Sequence, residues 1–203
     1  NREAATGKIN VAVILLRHLS NFTDFNVLER DERVHLYYTN NVDDITKADI
    51  ILLPGSKNTL DDLYELRRNG VAQAILKASQ EGATVMGICG GYQMMGLEVR
   101  DPEGVEGNVR MLPGLGLLPV ITTMQGDKVT RQVEFTFDGT EALCKGYEIH
   151  MGRTVPAEGS PPSPFNQLAD GREDGYQDKQ KKCLGTYIPV SYTHLRAHET
   201  LAN

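Results

Sequence analysis

The stretch ATVMGICGGYQMMGL, Ala83 to Leu97, decides the fold. An apolar run, Thr84 to Ile88, leads into Cys89. Glycines stand around that cysteine at Gly87, Gly90 and Gly91, and an apolar segment with helical spacing follows from Tyr92 to Leu97. Gly87-Ile88-Cys89-Gly90-Gly91 has the form glycine-x-nucleophile-x-glycine between a strand and a helix. Such a turn holds the nucleophile at strained backbone angles, and side chains at the neighbouring positions would collide, so glycines serve there. The sulfur is expected at the top of a sheet beside a helix N-terminus. The partial positive charge and free N–H groups of that terminus are expected to lower the thiol pKa. The Gly90 N–H is then placed to donate to an oxyanion. A buried cysteine in a glycine-rich turn carries the same short pattern; Gln93, Gly96 and a second loop upstream favour the nucleophile.

That second loop is Pro54-Gly55-Ser56-Lys57-Asn58-Thr59, at the end of an apolar run from Asp49 to Leu53. Loops at the carboxyl ends of parallel strands are where α/β proteins bind ligands, and the Gly55 N–H is a candidate second oxyanion donor. Thr59 with Asp62 resembles a capping box variant for a helix whose Leu60, Leu63 and Leu66 share one face. Further toward the N-terminus, Ile9 to Leu16 reads as a buried parallel strand. Ser20 is expected to cap a short helix carrying Phe22, Phe25 and Leu28, and Val34 to Tyr38 reads as a strand. A helix over Val71 to Ser79, stopped by Gly82, precedes the elbow strand. Strands alternating with helices predict an α/β fold with a doubly wound, mostly parallel sheet.

Beyond Leu97 the pattern changes to β-rich. Arg100 to Gly116 reads as loop. Leu117 to Met124, Val129 to Phe137 and Gly146 to His150 read as strands, Pro156 to Asp178 as a surface excursion, and Cys183 to Ile188 as a last strand. The net charge of -6 predicts no nucleic-acid footprint. The chain shows no bilayer-length apolar run and no signal peptide, so no membrane partner is expected. Cys89, Cys144 and Cys183 have neither metal spacing nor a paired framework; a reducing, cytoplasmic compartment and no metal are expected.

Four motifs together resemble class I, triad-type glutamine amidotransferase domains of the CobB/CobQ kind, found in cobyric acid synthase and cobyrinic acid a,c-diamide synthase. They are SNFTDF (Ser20 to Phe25), LLPGSKNT (Leu52 to Thr59), GICGGYQMMG (Gly87 to Gly96) and GYEIHMG (Gly146 to Gly152). SNFTDF and PGSKNT point to the cobyric acid type. The resemblance implies a flavodoxin-like sheet over residues 9–188, with residues 1–8 a linker remnant. It implies Cys89 as the nucleophile toward the glutamine carboxamide, Gly55 and Gly90 as oxyanion donors, and Gln93 near the substrate. It further implies a separate N-terminal synthetase domain that binds ATP, magnesium and a corrinoid and consumes the ammonia, with no cofactor on this domain. No Walker-type phosphate loop occurs in the chain. The resemblance also leaves open the diamide synthase, the glutaminase partner of a cell-wall ligase, and a non-catalytic glutaminase-like docking module.

The resemblance places a general-base histidine directly after Gly185-Thr186-Tyr187-Ile188, where this chain has Pro189. From there, residues 189–203 depart from the family and read as a non-native tail, excluded from the fold. His194 and His198 fall in that tail. His150 is expected to be structural or substrate-contacting, His18 and His35 to lie at the surface. Without the histidine, glutamine hydrolysis is expected to be weak.

Overall fold

The computed structural model describes residues 7–20, 25–138 and 140–189. Residues 21–24 of the SNFTDF motif, Phe22 among them, and His194 and His198 lie outside this range.

Six strands form the first sheet: β1 (Ile9–Ile14), β2 (Val34–Thr39), β3 (Ile50–Leu53), β4 (Thr84–Ile88), β11 (Tyr176–Asp178) and β12 (Cys183–Thr186). Their order is β11-β12-β4-β3-β1-β2, with β12, β4, β3, β1 and β2 parallel and β11 antiparallel at one edge. β3 and β4 are buried at every position, as unbroken apolar strands covered on both faces must be. The expected doubly wound α/β architecture is the one observed. Helices α3 (Thr59–Arg68) and α4 (Val71–Gln80) bury Leu60, Leu63, Leu66, Val71 and Ile75 in one core with β1, β3 and β4. Each buried leucine or isoleucine contributes about 2 kcal/mol by leaving water.

Several local expectations are corrected. Thr59 is the first residue of α3, not its cap. The cap is Asn58, whose side chain accepts from the Asp61 N–H, while the Asp62 carboxylate accepts from the His18 N–H and the Ser56 hydroxyl. Glu106, from the 100–116 loop, reaches back to accept the Thr59 and Leu60 N–H groups. A remote carboxylate thus satisfies helix-start donors that the local sequence leaves open. Ser20 does not cap α1 (Asn26–Glu29), which begins after Phe25 without a side-chain cap, and among the described residues the buried Ser20 hydroxyl has no hydrogen-bond partner; residues 21–24, where the expected helix would start, lie outside the described range. A further helix, α2 (Val42–Thr46), is capped by Asn41.

The second half forms another sheet from β5 (Glu98–Arg100), β6 (Met111–Pro113), β7 (Val120–Phe137), β8 (Cys144–Pro156), β9 (Asn166–Leu168) and β10 (Glu173–Asp174). The two strands expected at 117–124 and 129–137 are one long strand, β7, paired antiparallel with β8. Their register slips between Met124 and Val129, where residues 125–128 stand against Met151 alone. The 156–178 stretch is not merely a surface excursion. It buries Asn166 and Asp174, and both are hydrogen-bonded, the condition for burying such groups. Among the described residues no helix is long and apolar enough to cross a membrane.

Candidate active site

The order β12-β4-β3 sets the loops after three adjacent strands side by side. Cys89 follows β4, Pro54–Asn58 follows β3, and Tyr187 follows β12. Cys89 has φ 52° and ψ -115°, left-handed φ on a side-chain-bearing residue. The surrounding hydrogen bonds hold it there: its N–H donates to the Thr186 carbonyl at 2.9 Å, and its carbonyl accepts from the Gln93 N–H at 3.1 Å. Helix α5 (Gly90–Met94) starts at the next residue.

The glycines are required by contact. A side chain at Gly91 would lie 2.0 Å from the Leu53 carbonyl oxygen, and one at Gly90 would lie 2.9 Å from the Thr59 hydroxyl. The PGSKNT loop and the elbow therefore pack backbone against backbone. Gly55 is buried in that loop, with its carbonyl accepting from the Ser20 N–H at 2.9 Å.

A cavity of about 180 Å³ opens over Cys89. Ser56, Lys57 and Thr59 line it from the β3–α3 loop and the start of α3, and Cys89, Gly90 and Gln93 from the elbow. Met124 and Lys128 of β7, Ile149, His150 and Met151 of β8, and Tyr187 complete the wall. The structure thus brings Cys89, Gly90 and Gln93 to one cavity; Gly55 does not line it, although its neighbour Ser56 does. The volume is below the roughly 300–1,000 Å³ of sites for drug-sized ligands, a scale suited to a small metabolite.

The thiol is not activated as expected. Cys89 is buried, and its S–H donates to the Tyr187 carbonyl with Sγ 3.7 Å from the oxygen. Burial pushes its pKa up to about 12, and the Asp174 carboxylate adds to the rise. Desolvation of sulfur outweighs the pull of a helix only five residues long. Cys89 therefore rests as a protonated thiol.

Gln93 and Tyr187 form the polar floor. Gln93 Nε2 donates to the Tyr187 hydroxyl at 3.0 Å, and Gln93 Oε1 accepts from the Thr59 hydroxyl at 3.0 Å. The Tyr187 hydroxyl also hydrogen-bonds Thr154. Beneath it, Asp174 accepts from the Tyr187 N–H at 3.0 Å, from Asn166 Nδ2 at 2.9 Å and from the Thr186 hydroxyl at 2.5 Å. These bonds fix the chain just before Pro189. Burial raises the Asp174 pKa above the ordinary carboxylate range.

Of the described histidines, His150 alone lines the cavity. Its Nδ1–H donates to the Gly152 carbonyl at 2.6 Å, and its ring lies 4.3 Å from that of Tyr187. His18 is held against α3 by Asp61 at 2.5 Å. His35 is half-buried beside Tyr37 rather than at the surface. Glu148 is buried in ion pairs with Arg172 and Arg131 and faces a separate groove, and Tyr147 lies outside the cavity. Sequence reasoning missed Tyr187 in the cavity wall, Asp174 as the buried anchor of its backbone and Glu106 as the acceptor at the α3 N-terminus. Only contacts across the chain reveal them.

Comparison with known proteins agrees with this arrangement. Residues 10–196 match the CobB/CobQ-like glutamine amidotransferase domain family. The chain is 73% identical over 186 residues to the cobyric acid synthase of Phocaeicola vulgatus, covering 92% of this chain and 37% of that protein. It is 71% identical over 188 residues to that of Bacteroides fragilis, covering 93% and 38%. The chain therefore spans well under half the length of these curated relatives. The fold resembles the solved structure of PurLQS from Thermotoga maritima (TM-score 0.65, 17% identity, 89% of this chain and 87% of that one). It also resembles a crystal structure of a glutamine amidotransferase (TM-score 0.65, 16% identity, 95% and 98%). With its elbow cysteine, the PGSKNT loop behind it and these relatives, the chain belongs to the CobB/CobQ-like glutamine amidotransferase domain family.

Proposed function

We propose that this chain is the glutaminase part of a cobyric acid synthase. Cys89 Sγ attacks the side-chain carboxamide carbon of glutamine, and its proton passes to the departing nitrogen. The C–N bond breaks, ammonia leaves, and a γ-glutamyl thioester remains. Water then cleaves the C–S bond to give glutamate and the free thiol. The Gly90 and Gly55 N–H groups stabilise the oxyanion of each step, and Gln93 shapes the floor on which the carboxamide rests. The observation that carries this reading is Cys89 at positive φ at the head of α5, facing a small cavity.

The raised thiol pKa makes a proton acceptor necessary. Position 189, at which the resemblance places histidine, lies two residues beyond the Tyr187 carbonyl that binds the Cys89 thiol. Proline has no titratable group, so slow turnover is expected of the chain as it stands. The ammonia would serve ATP-dependent amidation of corrin carboxylates by an N-terminal synthetase domain, to which ATP, magnesium and the corrinoid belong. The high identity to cobyric acid synthases and the share of their length outside this chain support that assignment. Free thiols at Cys89, Cys144 and Cys183 suit a reducing cytoplasm.

The test is covalent labelling of Cys89 by 6-diazo-5-oxo-L-norleucine, located by peptide mass mapping. Labelling of Cys89 that free L-glutamine suppresses is expected. Labelling that glutamine does not suppress would overturn the reading.

A further inference from the structure

Helix α3 begins at the wall of the Cys89 cavity, and each N–H group at its start has an acceptor, as a buried helix end requires. The Asn58 N–H donates to the Ser56 hydroxyl at 3.0 Å, and the Asp61 N–H to the Asn58 side chain at 3.0 Å. The two donors between them are served from elsewhere in the chain. The Thr59 N–H donates to Glu106 Oε2 at 3.1 Å, and the Leu60 N–H to Glu106 Oε1 at 3.0 Å. One carboxylate spans two consecutive backbone donors, and the Glu106 carbonyl also accepts from Asn58 Nδ2 at 3.3 Å.

The turn that presents Glu106 is itself anchored. Asp101 is fully buried, and its carboxylate accepts the Val105 N–H at 2.7 Å and the Glu106 N–H at 2.8 Å. The Asp101 N–H donates to the Arg110 carbonyl at 2.7 Å, and Val105 packs on the core that holds α3.

Thr59 carries this grip into the site. It is buried, its hydroxyl donates to Gln93 Oε1 at 3.0 Å, and that hydroxyl lies 2.9 Å from where a side chain on Gly90 would begin. A hydroxyl has a single hydrogen. Its commitment to Oε1 fixes which way the Gln93 amide faces and leaves Nε2 to donate to the Tyr187 hydroxyl at 3.0 Å.

We propose that Glu106 is a positioning residue of the site: its carboxylate holds the first turn of α3 so that the Thr59 hydroxyl stays on Gln93 and keeps the Gln93 amide set for the glutamine carboxamide. This inference rests on the glutaminase reading. Glu106 does not line the cavity; it acts through Thr59.

The experiment measures two rates at Cys89 of the 203-residue chain: labelling by 6-diazo-5-oxo-L-norleucine and alkylation by iodoacetamide. The parent is compared with Glu106→Ala, Glu106→Gln, Thr59→Val and the Glu106→Ala, Thr59→Val double variant. Only the glutamine mimic depends on the Gln93 amide, whereas iodoacetamide reports whether the sulfur is still covered. Glu106→Ala is expected to slow labelling by the mimic about tenfold, the kind of loss that a small misplacement brings, with the iodoacetamide rate unchanged. Glu106→Gln keeps the shape and one acceptor oxygen, and its rate with the mimic is expected to lie between those of the parent and Glu106→Ala. Thr59→Val is expected to lose a similar factor, and the double variant no more than the larger single loss, because both changes break one chain of contacts. A mimic rate unchanged in Glu106→Ala, or single losses that multiply in the double variant, would overturn the proposal and leave the glutaminase reading standing. Faster iodoacetamide reaction in both Glu106 variants would do the same, since it marks a residue that only holds the fold. Labelling of the parent by the mimic that L-glutamine does not suppress would overturn both.

Discussion

Gln93 Nε2 donates to the Tyr187 hydroxyl at 3.0 Å. This bond ties helix α5, one turn past Cys89, to the residue after β12; Gln93 Oε1 in turn accepts from the Thr59 hydroxyl, so Gln93 links the segments that follow β12 and β3. Tyr187 serves the site twice. Its hydroxyl holds Gln93 in place, and its carbonyl accepts both the Cys89 thiol and the Ile149 N–H. Strand β8 is thereby docked over the cavity.

Replacing Tyr187 by phenylalanine removes the hydroxyl from Gln93 and Thr154 and leaves their buried groups without that partner. Tyr187→Phe is expected to lower stability by about 1–3 kcal/mol, read from urea unfolding, and to slow labelling of Cys89 by the glutamine mimic. An unchanged urea midpoint would show that the bond contributes nothing.

The pKa of about 12 for Cys89 predicts a thiol that resists alkylation at neutral pH. Iodoacetamide modification, followed at the Cys89 peptide, is expected to be more than about a thousandfold slower at pH 8 in the folded chain than in urea, since an unperturbed cysteine titrates at about 8.5. The folded rate is expected to climb through the alkaline range until unfolding intervenes. A rate that levels off below pH 8 would instead reveal an activated thiolate.

Asp174 offers a pH test with a definite sign. Burial raises its carboxyl pKa in the fold above the ordinary 3.8. Between 3.8 and the raised value the folded state holds more protons than the unfolded state, so this group's contribution to stability falls as pH rises through that window. Asp174→Asn cannot titrate. It is expected to be destabilised at low pH, where it places a second amide against Asn166. As pH rises from 4 to 7, its stability relative to the parent is expected to improve. Urea midpoints of both chains across that range give the difference. A difference that widens against the variant with rising pH would contradict the assignment.

The first sheet was legible because its strands are short apolar runs closed by glycine, proline or capping residues; the glycines around Cys89 alone also suit a buried structural cysteine, and Gln93, Gly96 and the 54–59 loop turned the reading toward a nucleophile. The cap of α3 was misread for a physical reason. Thr59 and Asp62 have capping-box spacing, but Asn58 starts the helix one residue earlier and Glu106, far along the chain, takes the remaining donors. Asp174 looked like a surface residue in a polar stretch, because its three buried donors come from Asn166, Thr186 and Tyr187. The thiol pKa was expected to fall because a helix start is visible in sequence, whereas the desolvation that overrides it appears only when β8 and Tyr187 close over the sulfur. The register slip in β7 leaves no mark stronger than Gly126, yet it brings Lys128 to the cavity.

The most direct test of Cys89 as a glutaminase nucleophile is glutamate release from L-glutamine by the parent, by Pro189→His, and by Pro189→His combined with Cys89→Ala. Restoring a general base is expected to raise release by at least about a hundredfold over the parent, and removing the sulfur to abolish it. Glutamate release that survives Cys89→Ala, or none from Pro189→His while Cys89 remains intact and folded, would contradict the account.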